Sequence, residues 1–566
     1  MRDLFRKLPA VLGAAAMAAG LGATVFAHDR DHSGDRDHAP TATPIRHLVV
    51  IFQENVSFDH YFATYPMAAN PTGEPSFTAR PGTPRVNNLV TANLLTANPN
   101  FTNPLNGTNA AEPFRLDTTQ AATADQNHGY TAEQLAYDDG KADLFPLYTG
   151  KGTSGGVGAF GTKGQVMGYY DGNTVTAMWN YAQHFAMSDN AYTDTYGPST
   201  PGALEVISGQ TDGVQLVKSS RSSYYIPDGA GGYSLISDVD PGYDQCSSGT
   251  DQVMMVGRNI GDLLNAKGIS WGGFMGGFVL DTTNANGTSG CGRSTFSTVV
   301  NGSITDYIPH HNWFQYFKST ANPTHARPAS IEAIGHTYDE ERRVDPANHE
   351  YGMRDFFAAV NAGNFPAVSF LKAPAYEDGH GGYSDPLDEQ AFVTRVINFL
   401  QSRPEWRDTA VIITWDDSDG WYDHAYANPT SPSFDESADQ LNGPGVCGKG
   451  MPLDGLAGKP INGRCGPGTR LPFLVISPWA RRNYVSHTYI SQASVVRFIE
   501  DNWLHGQRLG GGSFDATTGS IMDMFDFSRG PEHHRLFLSE QTGEPLARHG
   551  WYAAGPVKKK ESKAGA

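Results

Sequence analysis

Residues 410–424, AVIITWDDSDGWYDH, limit the possible fold more than any other stretch of the chain. AVIITW is short, apolar and rich in β-branched residues, which predicts a strand buried on both faces. Asp416 and Asp417 follow directly. Two adjacent carboxylates at the end of a buried strand repel each other unless a cation or a shared proton compensates. The pair therefore predicts a metal site or an acid/base pair, and the alternative is a solvated Asp-rich turn.

A second apolar run with the same design lies near the N-terminus. HLVVIF, residues 47–52, leads into Gln53, Glu54 and Asn55. Because ligands collect at the carboxyl ends of parallel strands, we expect the two strand ends to converge on one divalent cation. Its predicted ligands are Glu54, Asn55, Asp416 and Asp417. Ligands that are all oxygen favour magnesium, calcium or manganese over zinc.

Helix and strand patterns alternate along most of the chain. NIGDLLNAKG precedes ISWGGFM, RDFFAAVNAG precedes PAVSFLKAP, and DPLDEQAFVTRVINFLQ leads into AVIITW. LPFLVISPWA and SQASVVRFIEDNW continue the pattern as a strand and a helix. In TVTAMWNYAQHFA we predict a helix with Asn173 or Thr174 as its N-cap. Such alternation predicts an α/β fold of three layers, α/β/α, with a mostly parallel central sheet.

The N-terminus has the pattern of a signal peptide. Arg2, Arg6 and Lys7 precede an Ala- and Gly-rich apolar stretch, and Val25 and Ala27 fit the small-residue rule for cleavage. The alternative is an uncleaved membrane anchor. We therefore predict a protein exported to the periplasm or secreted. The predicted parts are a signal peptide at 1–27, a disordered linker at 28–44, a catalytic domain with long loop insertions at 45–545 and a C-terminal tail at 546–566.

Charge and cysteine content restrict the partners and the compartment. The 566 residues carry a formal net charge of −18, which argues against nucleic acid or an anionic membrane as the main partner. An even set of four cysteines in an exported protein predicts two disulfides. The shortest loops pair Cys246 with Cys291 and Cys447 with Cys465, among three possible pairings. The sequence makes no prediction of oligomeric state.

The turn GPST, residues 197–200, contains the candidate nucleophile. It precedes ALEVISGQ, a possible helix start whose outward N–H groups suit a phosphate. A hydroxyl held beside a divalent cation can lose its proton and attack phosphorus. The turn therefore offers Ser199 or Thr200 as a nucleophile, and an N-cap role for Ser199 is the alternative.

Four motifs, ENVSFDHYF, GPSTPGALEVISGQT, HGGYSDPLDEQ and WDDSDGWYDH, occur in this order. Together they resemble the bacterial phosphoesterase family of acid phosphatases and non-zinc phospholipases C, within the alkaline phosphatase superfamily. The resemblance extends from about residue 45 to about residue 503, and GPSTPG places the chain nearest the acid phosphatase branch. It implies an alkaline phosphatase-like fold and a phosphoserine intermediate on Ser199. It also implies that loop histidines surround the phosphoryl group, stabilise its oxygens and protonate the leaving oxygen. These histidines are His128, His310, His311 and His380.

The expected function is metal-dependent hydrolysis of phosphate monoesters. One alternative is a phospholipase C that cleaves phosphodiester lipids such as phosphatidylcholine, which would add a lipid surface as a partner. The other is a non-catalytic surface-binding protein on the same fold. Residues beside the motifs are expected either to support the metal ligands or to have purely structural roles: Asp59, His60, Asp419, Asp423 and His424. Lys372 and Arg470 are expected on a solvated face, with contact to phosphate as the alternative.

Overall fold

A nine-stranded sheet organises the computed structural model, which describes residues 40–218, 223–533 and 535–546. In chain order its strands are β1 (His47–Gln53), β2 (Ala186–Tyr192), β3 (Trp271–Met275), β4 (Glu350–Gly352), β5 (Val368–Lys372), β6 (Thr409–Trp415), β7 (Arg470–Ile476), β8 (Tyr484–Ser486) and β9 (Ile490–Ser491). Their spatial order is β4-β3-β5-β1-β6-β7-β2-β8, and β9 also pairs with β2. Strand β7 is antiparallel to both neighbours, and the other pairings are parallel. The mostly parallel sheet is as predicted.

Seven of the eight main helices lie in the connections between these strands, and the last one follows β9. They are α1 (Phe58–Phe62), α2 (Tyr130–Tyr137), α3 (Thr176–His184), α4 (Ser199–Ser208), α5 (Ile260–Lys267), α6 (Met353–Asn361), α7 (Pro386–Gln401) and α8 (Ala493–Trp503). Helix α3 begins at Thr176, later than predicted. The Asn173 side-chain amide donates to Asn70 Oδ1 and to the Pro75 carbonyl, so it does not cap the helix. No helix among the described residues is long and apolar enough to cross a membrane.

Both faces of the sheet are covered. Every residue of β1, β6 and β7 is buried. Trp415 of β6 donates its indole N–H to Glu389 of α7 at 2.7 Å. Phe52 of β1 points to the opposite face, since its partner in the register is Thr414, and its ring lies 6.3 Å from that of Trp313. The predicted layered α/β architecture is therefore confirmed.

Two disulfides join the four cysteines, with the predicted pairing. Cys246 is bonded to Cys291 and Cys447 to Cys465, with Cα–Cα separations of 5.3 and 5.8 Å. The predicted signal peptide, most of the linker and nearly all of the C-terminal tail lie outside the described residues.

Candidate active site

The Ser199 hydroxyl lies at the start of α4, among three acceptor oxygens. Ser199 Oγ is 3.0 Å from Glu54 Oε2, 3.4 Å from Asn55 Oδ1 and 3.2 Å from Asp417 Oδ2. The side chain is buried, with 1% of its surface exposed. A hydroxyl has one proton and can satisfy only one of these acceptors at a time. Four converging oxygens with a single proton fit a hard divalent cation, which would bind the lone pairs left over.

The strand ends bring these groups together as predicted. Strands β1 and β6 are adjacent and parallel, with Gln53 opposite Trp415, so the residues that follow them meet at one edge of the sheet. Asn55 takes a left-handed conformation with φ of 64°, which asparagine tolerates better than most residues. Its backbone N–H donates to Asp416 Oδ1 at 2.9 Å. The turn thus links the two strand ends directly.

Unlike the other three predicted ligands, Asp416 makes no hydrogen bond with the Ser199 hydroxyl in the described part of the chain. Its Oδ1 accepts the backbone N–H groups of Asn55 and of Asp417, the latter at 2.8 Å. Its Oδ2 is buried and has no hydrogen-bond partner among the described residues. The nearest ammonium, Lys372 Nζ, is 4.0 Å away. An unsatisfied buried carboxylate oxygen is costly, and a metal ligand role would satisfy it.

Lys372 ends β5 and contradicts the prediction of a solvated face. The side chain is 1% exposed and its ammonium donates to Glu54 Oε1. Burial follows from the pairing of β5 with β1, in which Leu371 lies opposite Ile51. Because the ammonium lies on Oε1, the Oε2 atom of Glu54 is the one left for a cation beside Ser199.

The buried carboxylates of the site repel one another. Burial and the charge of Asp416 raise the pKa of Glu54 well above its usual value, and the same two causes raise that of Asp417. Burial raises the pKa of Asp378 to about 8. A divalent cation would reduce this repulsion at the oxygens that surround Ser199 Oγ.

The four predicted histidines form a connected row, one member of which contacts Glu54 beside Ser199. Ring centroids are 4.6 Å apart for His310 and His311, 6.4 Å for His311 and His380, and 5.8 Å for His380 and His128. His311 Nδ1 is also 3.1 Å from Glu54 Oε1. The predicted histidines therefore come together from three separate loops.

The row combines histidines whose pKa is raised with histidines whose pKa is lowered. Burial alone would lower the pKa of His128, but Asp417 and a 3.0 Å contact with Asp419 raise it well above its usual value. Asp240 outweighs burial in the same way and raises the pKa of His310. Burial lowers the pKa of His311 and of His380. The row thus combines two imidazoles whose surroundings favour the protonated form with two whose burial favours the neutral form.

The turn that precedes Ser199 is held by a residue that the sequence did not single out. Glu133 of α2 accepts the Gly197 N–H at 3.1 Å and the Ser418 hydroxyl at 2.7 Å. Glu133 therefore links the turn before Ser199 to the turn that contains Asp417. No motif marks Glu133, because it lies within an ordinary helical pattern.

Helix α4 packs so closely on the turn that contains Asp416 that Gly202 has no room for a side chain. A Cβ atom there would lie 2.1 Å from the Asp416 carbonyl oxygen. This contact explains the second glycine of GPSTPG. It fixes the distance between the nucleophile helix and the carboxylate turn.

We expect Gly202→Ala to reduce kcat/KM for 4-nitrophenyl phosphate by roughly tenfold or more, because displacement of Ser199 from its oxygen neighbours impairs attack. Gly530→Ala is the matched control, since a Cβ atom there meets nothing within 4 Å. Circular dichroism would verify that both variants fold. Unchanged kinetics in Gly202→Ala would show that the close packing does not position the nucleophile.

Of the five flanking residues, Asp419 contacts a predicted ligand directly. Its Oδ1 accepts the Asn55 amide at 3.3 Å and lies 3.0 Å from His128 Nδ1. His60 stacks on Trp421 with ring centroids 3.9 Å apart, and burial lowers its pKa to about 3. His60 is therefore a packed neutral side chain.

Asp59, Asp423 and His424 form a separate ion cluster with Arg470. Arg470 Nε is 3.1 Å from Asp423 Oδ1, and Arg470 Nη2 is 3.2 Å from Asp59 Oδ1. His424 Nδ1 lies 2.5 Å from Asp59 Oδ2. Arg470 is fully buried, so the prediction that it lies on a solvated face is wrong. The cluster joins α1, the turn after β6 and the start of β7.

Sequence comparisons agree with a site built for phosphoryl chemistry. The profile of the Phosphoesterase family matches residues 45–504. The chain is 24% identical to phospholipase C A of Mycobacterium tuberculosis over 508 residues, 88% of this chain and 80% of the relative. It is 25% identical to a non-hemolytic phospholipase C of Burkholderia pseudomallei over 469 residues, 81% of this chain and 55% of the relative.

These matches define the protein as a hydrolase that acts on phosphoric ester bonds. The chain belongs to the Phosphoesterase family. The two relatives are named phospholipase C, so the placement nearest the acid phosphatase branch stays a prediction.

Similarity to solved structures is weaker. Murine ectonucleotide pyrophosphatase/phosphodiesterase 5 is 12% identical with a TM-score of 0.29, over 62% of this chain and 95% of that chain. A Vibrio parahaemolyticus protein in the alkaline phosphatase superfamily is 11% identical with a TM-score of 0.26, over 61% of this chain and 62% of that chain. At these scores neither similarity supports an argument about this chain.

Proposed function

We propose that this chain is an exported phosphomonoesterase that uses one divalent metal ion and a phosphoserine intermediate on Ser199. One observation supports this most strongly: the Ser199 hydroxyl lies at the start of α4 among oxygens of Glu54, Asn55 and Asp417. A helix N-terminus favours an anionic phosphoryl group. The same position therefore suits both the nucleophile and the group that it attacks.

The proposed ion would be held by Glu54, Asn55, Asp417 and the unsatisfied Oδ2 of Asp416. A divalent cation there supplies positive charge that favours the deprotonated Ser199 hydroxyl. The donors are oxygens, which favours magnesium, calcium or manganese. A second group of possible ligand atoms, on Glu54, His311 and Asp378, also lies close together. We favour the oxygen set, because the Lys372 ammonium already occupies Glu54 Oε1.

The reaction would proceed in two displacements. The Ser199 hydroxyl passes its proton to Glu54 Oε2, its acceptor at 3.0 Å, as Oγ attacks phosphorus and the bond between phosphorus and the leaving oxygen breaks. His128 and His310, whose pKa values are raised, can stabilise the phosphoryl oxygens, and a histidine of the row gives the leaving oxygen its proton. Water then attacks the phosphoserine, which releases phosphate and restores the hydroxyl.

Phospholipase C activity is the second candidate, because the curated relatives compared above are named phospholipase C. It would require room for a diester with lipid chains and a lipid surface as a partner. The third alternative, a non-catalytic binding protein, has less support, since the candidate nucleophile, ligands and histidines all lie together.

Parallel assays with 4-nitrophenyl phosphate and with phosphatidylcholine vesicles would separate these functions. We expect hydrolysis of the monoester in the presence of a divalent ion, and a much lower rate on the lipid. A higher kcat/KM on phosphatidylcholine would replace the phosphomonoesterase proposal with phospholipase C. Metal-loaded protein that is inactive on both substrates would favour the binding protein.

Export is supported by two features. The N-terminal residues have the pattern of a signal peptide, and all four cysteines form disulfides, which persist in oxidising compartments. The acidic net charge of −18 agrees with the absence of nucleic acid from the proposed partners.

A further inference from the structure

A cavity of about 470 Å³ lies where strands β3 and β4 end. Met275 and Gly352, the last residues of these strands, are in its wall, together with Pro374 just beyond β5. Its volume is within the range of small-molecule sites. Among the described residues, neither Ser199 nor any candidate metal ligand or catalytic histidine lines it. We call it the arginine cavity, after the four arginines in its wall: Arg293, Arg327, Arg354 and Arg395.

Arg293 provides a buried donor to this cavity. The residue is 7% exposed. Its Nε donates to Asp306 Oδ2 at 2.9 Å and its Nη1 donates to the Val279 carbonyl. Its Nη2 has no hydrogen-bond partner within the described part of the chain. Guanidinium N–H groups are strong donors, so this nitrogen can donate to an acceptor that enters the cavity.

Most carboxylates near the cavity are already paired. Arg395 Nη2 lies 2.9 and 2.7 Å from the two oxygens of Glu377, and Arg327 makes a two-pronged contact with Asp355. Arg354, which is exposed, makes no hydrogen bond or ion pair with the described residues. Asp281 lies exposed at the rim. Arg293 and Arg354 therefore keep N–H groups for an added acceptor.

Part of the wall is apolar. Phe278 and Phe392 are buried there. The apolar side chains of the wall that remain partly exposed include Val279 and, on α6, Met353 and Phe357. A bare inorganic anion would leave these surfaces in contact with water. An anion that also has an apolar body would cover them.

We propose that the arginine cavity binds an organic anion, at a site separate from the catalytic centre. Its acidic group accepts N–H groups from Arg293 and Arg354. Its apolar body packs against the partly exposed side chains of Val279, Met353 and Phe357. This inference does not depend on the proposed phosphomonoesterase activity.

The test is isothermal titration calorimetry of the full-length protein with 4-phenylbutyrate, while vanadate saturates the catalytic centre. We expect saturable one-site binding that vanadate does not displace. Arg293→Lys and Arg354→Gln should each weaken it by roughly tenfold, the effect expected for one charged hydrogen bond. The uncharged analogue 4-phenylbutanol should bind the wild-type protein no more tightly than 4-phenylbutyrate binds the two variants. The matched control is Arg46→Gln, which changes an exposed arginine in front of β1.

Arg293→Lys keeps a positive charge beside Asp306, and circular dichroism would verify its fold. If it does not fold, the exposed Arg354→Gln variant decides the question alone. Three results would overturn the proposal. The first is no saturable binding at millimolar concentration, and the second is displacement of phenylbutyrate by vanadate. The third is wild-type affinity in Arg354→Gln and, if it folds, in Arg293→Lys as well.

Discussion

Ser199→Ala is expected to lower kcat for 4-nitrophenyl phosphate by at least about 100-fold, comparable with the loss of a single transition-state group elsewhere. The proposed phosphoserine cannot form without Ser199 Oγ, which lies 3.0 Å from Glu54 Oε2. Vanadate should still bind, because the histidine row and the other metal ligands remain. Stopped-flow kinetics and vanadate titration would measure the two effects separately.

Thr200→Ala is the matched control, because it removes the neighbouring hydroxyl from the same turn. The Thr200 hydroxyl contacts Asp238 at 3.0 Å, and the backbone N–H that also binds Asp238 is kept in the variant. We expect most of the activity to remain. After an acid quench, labelled phosphate should be found on the wild-type peptide that contains Ser199. Label on a histidine peptide, or substantial turnover by Ser199→Ala, would mean that another group attacks phosphorus.

Asp417→Ala and Asp416→Ala are expected to abolish stoichiometric metal binding and nearly all activity. Asp417 Oδ2 lies 3.2 Å from Ser199 Oγ, and Asp416 Oδ2 is the buried oxygen without a described hydrogen bond. Metal content would be measured by mass spectrometry after dialysis. A ligand that binds the native state raises the melting temperature, so the wild type should gain thermal stability with added metal and the variants should not.

The control for this experiment is Glu332→Ala. Glu332 is exposed, and its carboxylate makes no hydrogen bond or ion pair with the described residues. This variant should keep wild-type metal content and the wild-type thermal shift. Stoichiometric metal in both aspartate variants would place the ion elsewhere, with the group of Glu54, His311 and Asp378 as the first alternative.

The sequence predicted those parts of the site that depend on short runs of neighbouring residues. An apolar run followed by polar residues predicted where β1 and β6 end, and parallel-sheet geometry then predicted that Glu54 and Asp417 meet. The apolar run after GPST predicted a helix, but α4 begins at Ser199, before the predicted start at ALEVISGQ, and Pro198 takes the N-cap position. The grouping of the four histidines came from the family resemblance, since a loop histidine alone has no such pattern.

The parts that were missed depend on strand neighbours that are distant in the chain. Lys372 ends a strand like many exposed lysines, and its contact with Glu54 exists because β5 lies beside β1. Arg470 is buried because Asp59 and Asp423 neutralise it from two other elements. The arginine cavity has no local pattern either, since its wall comes from strand ends, loops and helices that are far apart in sequence.

The position of β1 in the sheet has a consequence for folding. This strand is the first to be synthesised, yet it lies in the middle of the sheet between β5 and β6, where His47 pairs with Thr409. Its apolar run therefore stays unpaired until most of the chain has left the ribosome. Pairing of such distant segments slows folding and prolongs the exposure of aggregation-prone surface. The edges of β1 are therefore open to pairing with other chains until β5 and β6 have been synthesised.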